Sequence, residues 1–260
     1  SIYLSIYLSI YHIMPSSRPA LLLVGLVVIL LVELITPSNA FPFEPPKFNL
    51  PNPFGDPSSS TTQATGTSSA LRPGDKVLVV GGTGGVGQLV TKKLRSRPSS
   101  YGVSVASRDV SRAVETIADD GVDVVELNLV GEQKSTDEEL RAALDGASAV
   151  VISVGTTAFP TKKWAGGNNP KAIDEEAVVR LANAAAEAET VRRVVLLTSV
   201  GVDRTGEMPF LVLNLFGVLD AKKAGEDAVR RAGESGAYDY AIVRPGRLVG
   251  GPYTNLDLAK

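Results

Sequence analysis

The run Val77-Leu78-Val79-Val80 passes directly into Gly81-Gly82-Thr83-Gly84-Gly85-Val86-Gly87, and from there into Val86, Val90 and Leu94 at helical spacing. Nothing else in the chain constrains its fold as strongly. A short, mostly β-branched apolar run makes a buried strand, and the spacing that follows makes an amphipathic helix. Only a tight turn fits between them, and glycine lets the backbone turn without a Cβ in the way. A helix that starts straight out of a strand leaves its first-turn N–H groups without intrahelical acceptors, and such a group of donors holds a pyrophosphate. The glycine spacing is G-x-x-G-x-x-G (Gly81, Gly84, Gly87) rather than the commoner G-x-G-x-x-G. The weight therefore rests on the strand before it and the helix after it as much as on the glycines. A dinucleotide site is expected at Gly81, Gly82, Thr83, Gly84, Gly85, Val86 and Gly87; the other reading is a turn that is merely tight.

From residue 76 the pattern alternates. Strands are predicted at 77–80, 103–106, 122–127, 149–154, 194–198 and 240–243. Helices are predicted at 86–95, 111–119, 138–144, 173–188 and 219–231. Continuous apolar strands separated by amphipathic helices specify a parallel sheet covered on both faces. The expected fold class is α/β: a Rossmann-type doubly wound parallel sheet, a single domain over 71–260, with strand order 3-2-1-4-5-6.

Composition removes several chemistries. The 260 residues include no cysteine and one histidine, His12, which lies outside the predicted domain. Thiolate metal sites, disulfides, cysteine nucleophiles and a Ser-His-Asp triad are excluded, and no metal site is expected. A net charge of −2 with no block of Lys and Arg gives no reason to expect a nucleic-acid partner.

The first seventy residues read as an address. Met14 is the first methionine, so 1–13, with its repeated Ser-Ile-Tyr-Leu, is expected to be a gene-model extension; a piece of a longer natural N-terminus is the alternative. Arg18, an apolar run from Ala20 to Val32, and Ser38-Asn39-Ala40 form a signal peptide over 14–40. The run is shorter than the roughly 20 apolar residues of a membrane span, and Glu33 interrupts any longer one, so no stable span is expected after processing; a retained anchor is the other reading. Residues 41–70, rich in Pro, Ser and Thr, lack periodicity and are expected to be disordered and transit-like. A cut before Phe41 followed by a Ser/Thr-rich stretch resembles the bipartite targeting sequence of secondary, red-lineage plastids. Plastid stroma is the expected location and the secretory pathway the alternative; the absence of cysteine fits the former.

The nucleotide is read at the end of the second strand. An NAD site places an acidic residue there for the ribose 2′-OH. This chain has Ser107-Arg108, and a guanidinium pairs with a 2′-phosphate where a carboxylate would repel it. NADP is therefore expected, with NAD as the other option, since Asp109 reaches the ribose if the strand ends two residues later. The alternative role of Asp109 is N-cap of the next helix. Asn128 and Leu129, after the third strand, and Gly155, after the fourth, lie at the same carboxyl edge. Asn128 is read either as an adenine contact or as a turn residue, and Gly155 as a close approach to the ribose or an ordinary loop glycine.

Gly81-x-x-Gly84-x-x-Gly87, Ser107-Arg108-Asp109, Thr198-Ser199-Val200-Gly201, Lys222 and Arg244-Pro245-Gly246-Arg247 resemble an atypical short-chain dehydrogenase/reductase of the NAD(P)H-binding, NmrA-like group. Thr156-Thr157-Ala158-Phe159-Pro160, Leu213-Asn214-Leu215-Phe216-Gly217-Val218 and Gly251-Pro252-Tyr253-Thr254 resemble its plastid members. The resemblance implies that Lys222, Pro245 and Gly246 border the nicotinamide, and that Ser199 and Lys222 serve catalysis. Short-chain dehydrogenases usually carry Tyr-x-x-x-Lys, and here the tyrosine position is Val218. Valine has no proton to give, and moving the lysine to Lys223 puts Leu219 there instead. Three readings follow: an NADPH-dependent reductase of a flavin, quinone or tetrapyrrole-like acceptor protonated by water; a non-catalytic redox sensor or assembly factor on a plastid protein complex; or a reductase whose acid is Tyr253 or Tyr240. The reductase is the expected function.

The segment Phe210-Leu211-Val212-Leu213-Asn214-Leu215-Phe216 has one polar member. It is read either as a lid over a bulky apolar acceptor, with Trp164 lining the same pocket, or as packing against the core or a second subunit. The resemblance also implies further elements beyond the sixth strand, so the domain is expected to be truncated at its C-terminus.

Overall fold

The computed structural model describes residues 71–96, 101–119, 121–246 and 248. The targeting segment expected over 1–70, Arg247 and Tyr253 lie outside these residues.

Among the described residues, β1 (Lys76–Val80), β2 (Gly102–Ser107), β3 (Val122–Glu126), β4 (Ala147–Ile152), β5 (Arg193–Leu197) and β6 (Asp239–Val243) form one sheet. All neighbours are parallel, in the order β3-β2-β1-β4-β5-β6. The helices are α1 (Gly85–Arg95), α2 (Val110–Ile117), α3 (Asp137–Leu144), α4 (Lys162–Ala165), α5 (Ala177–Glu187), α6 (Phe210–Leu213) and α7 (Val218–Glu234). A π-helical turn, Lys171–Glu176, leads into α5. The doubly wound sheet and its strand order are those the sequence predicts.

Side-chain alternation along β1 divides the core. Leu78 and Val80 join Leu140, Leu144, Leu181 and Val229 on the α3, α5 and α7 face. Val77 and Val79 join Val103 and Val105, covered by Val90, Leu94 and Ile117 from α1 and α2. Each fully buried Val or Leu contributes about 1.5–3 kcal/mol of transfer free energy. Burial on both sides is why these strands carry no polar alternation.

The departures from the predicted boundaries have local causes. Helix α2 stops at Ile117 because Ala118 adopts the left-handed conformation, φ 46°. Asp109 is its N-cap, accepting from the Arg112 N–H at 2.9 Å, which is the capping role weighed for it. Helix α3 begins with a capping box between Thr136 and Glu139. The helix predicted from 173 opens as the π turn instead, whose consequence lies in the site.

Parallel strands send every carboxyl end to one edge. The loops after all six strands therefore converge there, on either side of the β1–β4 pair where the strand order reverses, which is where such sheets bind ligands.

Candidate functional site

The turn after β1 is a backbone cradle. Gly81 has φ +84°, and a Cβ on it would lie 2.9 Å from the Ser153 carbonyl at the end of β4. Ser153 is tied back to β1, its N–H and hydroxyl both donating to the Val80 carbonyl. A Cβ on Gly87 would sit 2.2 Å from the Gly81 carbonyl oxygen and 2.7 Å from Gly82 Cα. A Cβ on Gly82 would meet the Val105 side chain at 2.5 Å. These three glycines are steric requirements of one compact turn. Gly84, at the N-cap of α1, carries no side chain, and the first intrahelical bond runs from the Gln88 N–H to its carbonyl at 2.9 Å. The N–H groups of Gly85, Val86 and Gly87 thus precede the first intrahelical bond and open toward the sheet edge. The Gln88 side-chain amide braces the turn by donating to the Thr83 carbonyl at 2.9 Å. A backbone donor set with no Cβ in front of it fits a pyrophosphate.

On the β2 side, the Ser107 hydroxyl donates to the Asp109 carbonyl and accepts from the Asp109 N–H, closing a turn with Arg108 exposed at its tip. The Arg108 guanidinium donates to Asn168 Oδ1 at 3.1 Å. Asn128 takes the turn role: its amide donates to the Gln133 carbonyl at 2.8 Å, and its N–H donates to Ser135 Oγ at 3.0 Å. Leu129 is half-buried against the larger core cluster.

On the β4–β5–β6 side the structure brings together groups that are distant in sequence. Lys222 Nζ donates to Asp174 Oδ1 at 2.6 Å, with the Lys222 side chain 13% exposed and the Asp174 side chain 1%. The other Asp174 oxygen accepts from the Thr156 N–H at 3.2 Å and from the Thr156 hydroxyl. A Cβ on Gly155 would lie 3.1 Å from Lys222 Nζ, so its bareness lets the loop pass over this ion pair. Ser199 is half-buried and donates to the Val200 carbonyl at 3.1 Å. Pro245 carries the carbonyl that accepts the Val200 N–H at 2.9 Å, holding the β5 and β6 loops together, and Gly246 is exposed.

Beneath these loops Glu226 is fully buried. It accepts from Thr198 Oγ1 at 2.7 Å and from Arg244 Nε at 2.8 Å, and Arg244 also pairs with Asp203. Burial would raise the Glu226 carboxyl, but the hydrogen bonds from Arg244 and Thr198 together with the Arg244 charge outweigh it and hold the group below the ordinary glutamate range. The Glu226 hydrogen bond likewise raises Arg244.

Val218 is 4% exposed and packs with Val202, Leu219, Ala158 and Phe210. The tyrosine position is therefore filled by core, not left open to solvent. Of the described tyrosines, Tyr238 is buried with its phenol pushed up to about 12 by burial, and Tyr240 packs against the larger core. Tyr240 stands on β6 with the core, not at the carboxyl edge, so the reading that makes it the acid does not hold.

Phe210 packs inward, its ring filling the space beside Gly201 with the Arg204 guanidinium 4.6 Å from its centroid. Leu211, Leu215 and Phe216 are exposed, and Phe216 stands edge-on to both Phe159 and Trp164 at about 6 Å. Asn214, the polar member of this segment, accepts from the Leu219 and Asp220 N–H groups and so caps the start of α7, where Gly217 has no side chain to do so.

Asp174, Asn168 and Glu226 are residues that sequence reasoning missed, and Thr156 entered it only as part of the plastid resemblance. Asp174 did carry a signal: it continues the helical series Val178, Leu181, Ala185, all buried, so a carboxylate there falls on the apolar stripe.

A family model described as NAD(P)H-binding matches residues 81–260, more than half of the chain. The chain belongs to the NAD(P)H-binding family. Its cofactor is thus a nicotinamide dinucleotide, and its kinship with the atypical short-chain dehydrogenase/reductases stands. Over 203 residues, 74% of the chain, this NAD(P)H-binding protein is 32% identical to Protein TIC 62, chloroplastic, of Arabidopsis thaliana, covering 30% of that protein. It is 30% identical to Protein TIC 62, chloroplastic, of Oryza sativa subsp. japonica, over 73% of the chain and 38% of the relative. The chain spans about a third of the length of the curated relatives it matches. Among solved structures, the ribose-5-phosphate isomerase from Brucella melitensis 16M superposes with TM-score 0.51 at 22% identity, over 69% of this chain and 70% of that one, a likeness of fold.

Proposed function

We propose that this NAD(P)H-binding protein is a plastid NADPH-dependent reductase of the atypical short-chain type. The observation that carries the reading is the bare turn of Gly81, Gly82 and Gly87 at the start of α1, where any added Cβ meets backbone or Val105. In this reading Gly81, Gly82, Thr83, Gly84, Gly85, Val86 and Gly87 hold the pyrophosphate. Ser107 shapes the turn that presents Arg108 to the 2′-phosphate, and the Arg108–Asn168 bond supports it by pre-orienting the guanidinium. Gly155, Lys222, Pro245 and Gly246 border the nicotinamide end, with Asn128 and Leu129 shaping the adenine side. The bound nucleotide supplies a hydride.

The chain's own residues position the nucleotide and the acceptor rather than donate a proton. Val218 occupies the acid's place, so the acceptor best suited is one whose reduced form takes its proton from solvent, such as a quinone or flavin. Ser199 orients the acceptor by its hydroxyl, and the exposed Phe159, Leu215 and Phe216 give an apolar acceptor a surface to lie on. Plastid placement draws support from relatives that are chloroplastic.

The buried Val218 also favours a second reading, a nucleotide-binding sensor or assembly factor within a plastid protein complex that turns nothing over. NADPH oxidation against a panel of quinones, flavins and carbonyls separates the two: turnover with a quinone or flavin supports the reductase, and none across the panel supports the sensor. Arg108→Ala should bring the NADPH and NADH affinities to within a small factor of each other by calorimetry, since a charge-assisted pair contributes about 1.5–3 kcal/mol. An unchanged preference would overturn the assignment of Arg108.

A further inference from the structure

We propose that Asp174 is a charge-balancing residue: by neutralising Lys222 at the nicotinamide end, it sets the preference of the site between oxidised and reduced dinucleotide. The inference rests on the reading above that places the nicotinamide beside Lys222. The carboxylate is almost wholly out of solvent and 2.6 Å from the ammonium. Burying a carboxylate costs several kcal/mol unless it is fully paired. A lysine needed only as a hydrogen-bond donor at a site edge requires no such partner.

The surrounding backbone is built around this pair. The π turn widens the helix one turn before α5 and leaves Asp174 as its buried residue. Helix α7 comes close enough that a Cβ on Gly225 would lie 2.5 Å from the Asp174 carbonyl oxygen, and Gly225 is one helical turn beyond Lys222. Gly155 lies close to the same ammonium, a Cβ there standing 3.1 Å from it, and Thr156 gives both its N–H and its hydroxyl to the carboxylate. The π turn, the close packing at Gly225 and Thr156 thus hold Asp174 against Lys222, and Asp174 accepts at both oxygens.

The consequence is electrostatic. The oxidised nicotinamide ring carries a positive charge that the reduced ring lacks. A lone ammonium beside it selects against the oxidised form, whereas a neutral Lys222–Asp174 pair does not.

The test is the ratio of Kd for NADP+ to Kd for NADPH, measured by calorimetry on the full chain at low ionic strength. Asp174→Asn should raise that ratio about tenfold or more, because an unbalanced cation remains. Lys222→Met should lower it, leaving an unbalanced anion, and the double variant should return it toward the parent value. If Asp174→Asn does not fold, the sign of the shift in Lys222→Met decides alone. Equal weakening of both nucleotides, with the ratio unchanged, means a purely structural ion pair and overturns the proposal. Binding of both nucleotides untouched by either variant instead removes the nicotinamide end from Lys222, and the reading beneath the proposal falls with it.

Discussion

At Gly87 a single added methyl group decides whether the turn survives. Its Cβ would stand 2.2 Å from the Gly81 carbonyl oxygen, a backbone atom that cannot swing aside, whereas a Cβ on Gly84 would meet the same oxygen at 3.2 Å. Gly84 has φ −74° and ψ 163°, a conformation open to any residue. Gly87→Ala should therefore weaken NADPH binding at least about tenfold, and Gly84→Ala much less, by calorimetry on the two variants. Equal losses would mean that the turn is not the cradle. The glycine turn was legible in the sequence because steric need leaves a residue type behind. Lys222 was legible through the family resemblance, but its partner was not, because Asp174 lies 48 positions earlier and is brought to it by the packing of the π turn and α5 on α7. Asn128 had two readings in sequence, and its loop contacts with Gln133 and Ser135, which show the turn role, are closed by the path of the folded loop, which no local pattern announces.

Helix α7 holds the site together from below. It contributes Val218, Lys222 and Glu226, which face an apolar cluster, a buried aspartate and the partly exposed Arg244 and Arg230 respectively. Val218→Tyr, the substitution that restores the usual tyrosine, should overpack the cluster with Val202 and Phe210. A loss of about 1–3 kcal/mol in urea unfolding is expected, with no gain in carbonyl reduction. Glu226→Ala removes the buried acceptor on which Thr198, Arg230 and Arg244 converge, while Arg244 keeps Asp203, and should cost about 1–3 kcal/mol in the same assay. The carboxyl of Glu226 is depressed in the fold, so its contribution is fully present above the ordinary glutamate value of 4.5 and is lost as pH falls below it. Acid melts should accordingly show a flatter pH slope below about 4.5 in Glu226→Gln than in the parent chain; identical slopes would contradict the network's role. Periodicity placed every main helix to within a few residues but could not show the π turn or α6. Both depend on tertiary contacts: the π turn on the close approach at Gly225, and α6 on Phe210 filling the space beside Gly201.

For the whole molecule, a parallel sheet in the order β3-β2-β1-β4-β5-β6 gathers the strand-end loops at one edge, and the proposed nucleotide site depends on that gathering. The architecture was legible because both faces of the sheet are buried, which forces uninterrupted apolar strands. The role of the apolar surface was not, since Phe159 and Phe216 are exposed and meet edge to face, which shows only that an apolar surface is available. Binding of NADPH to the folded chain alone should raise its melting temperature with nucleotide concentration, by mass action. The most direct test is calorimetric titration of NADPH into the parent chain and into Gly87→Ala. The account predicts saturable heat with one nucleotide per parent chain and its loss in the variant. A parent chain that takes up neither NADPH nor NADH, or a variant that binds as well as the parent, would contradict it.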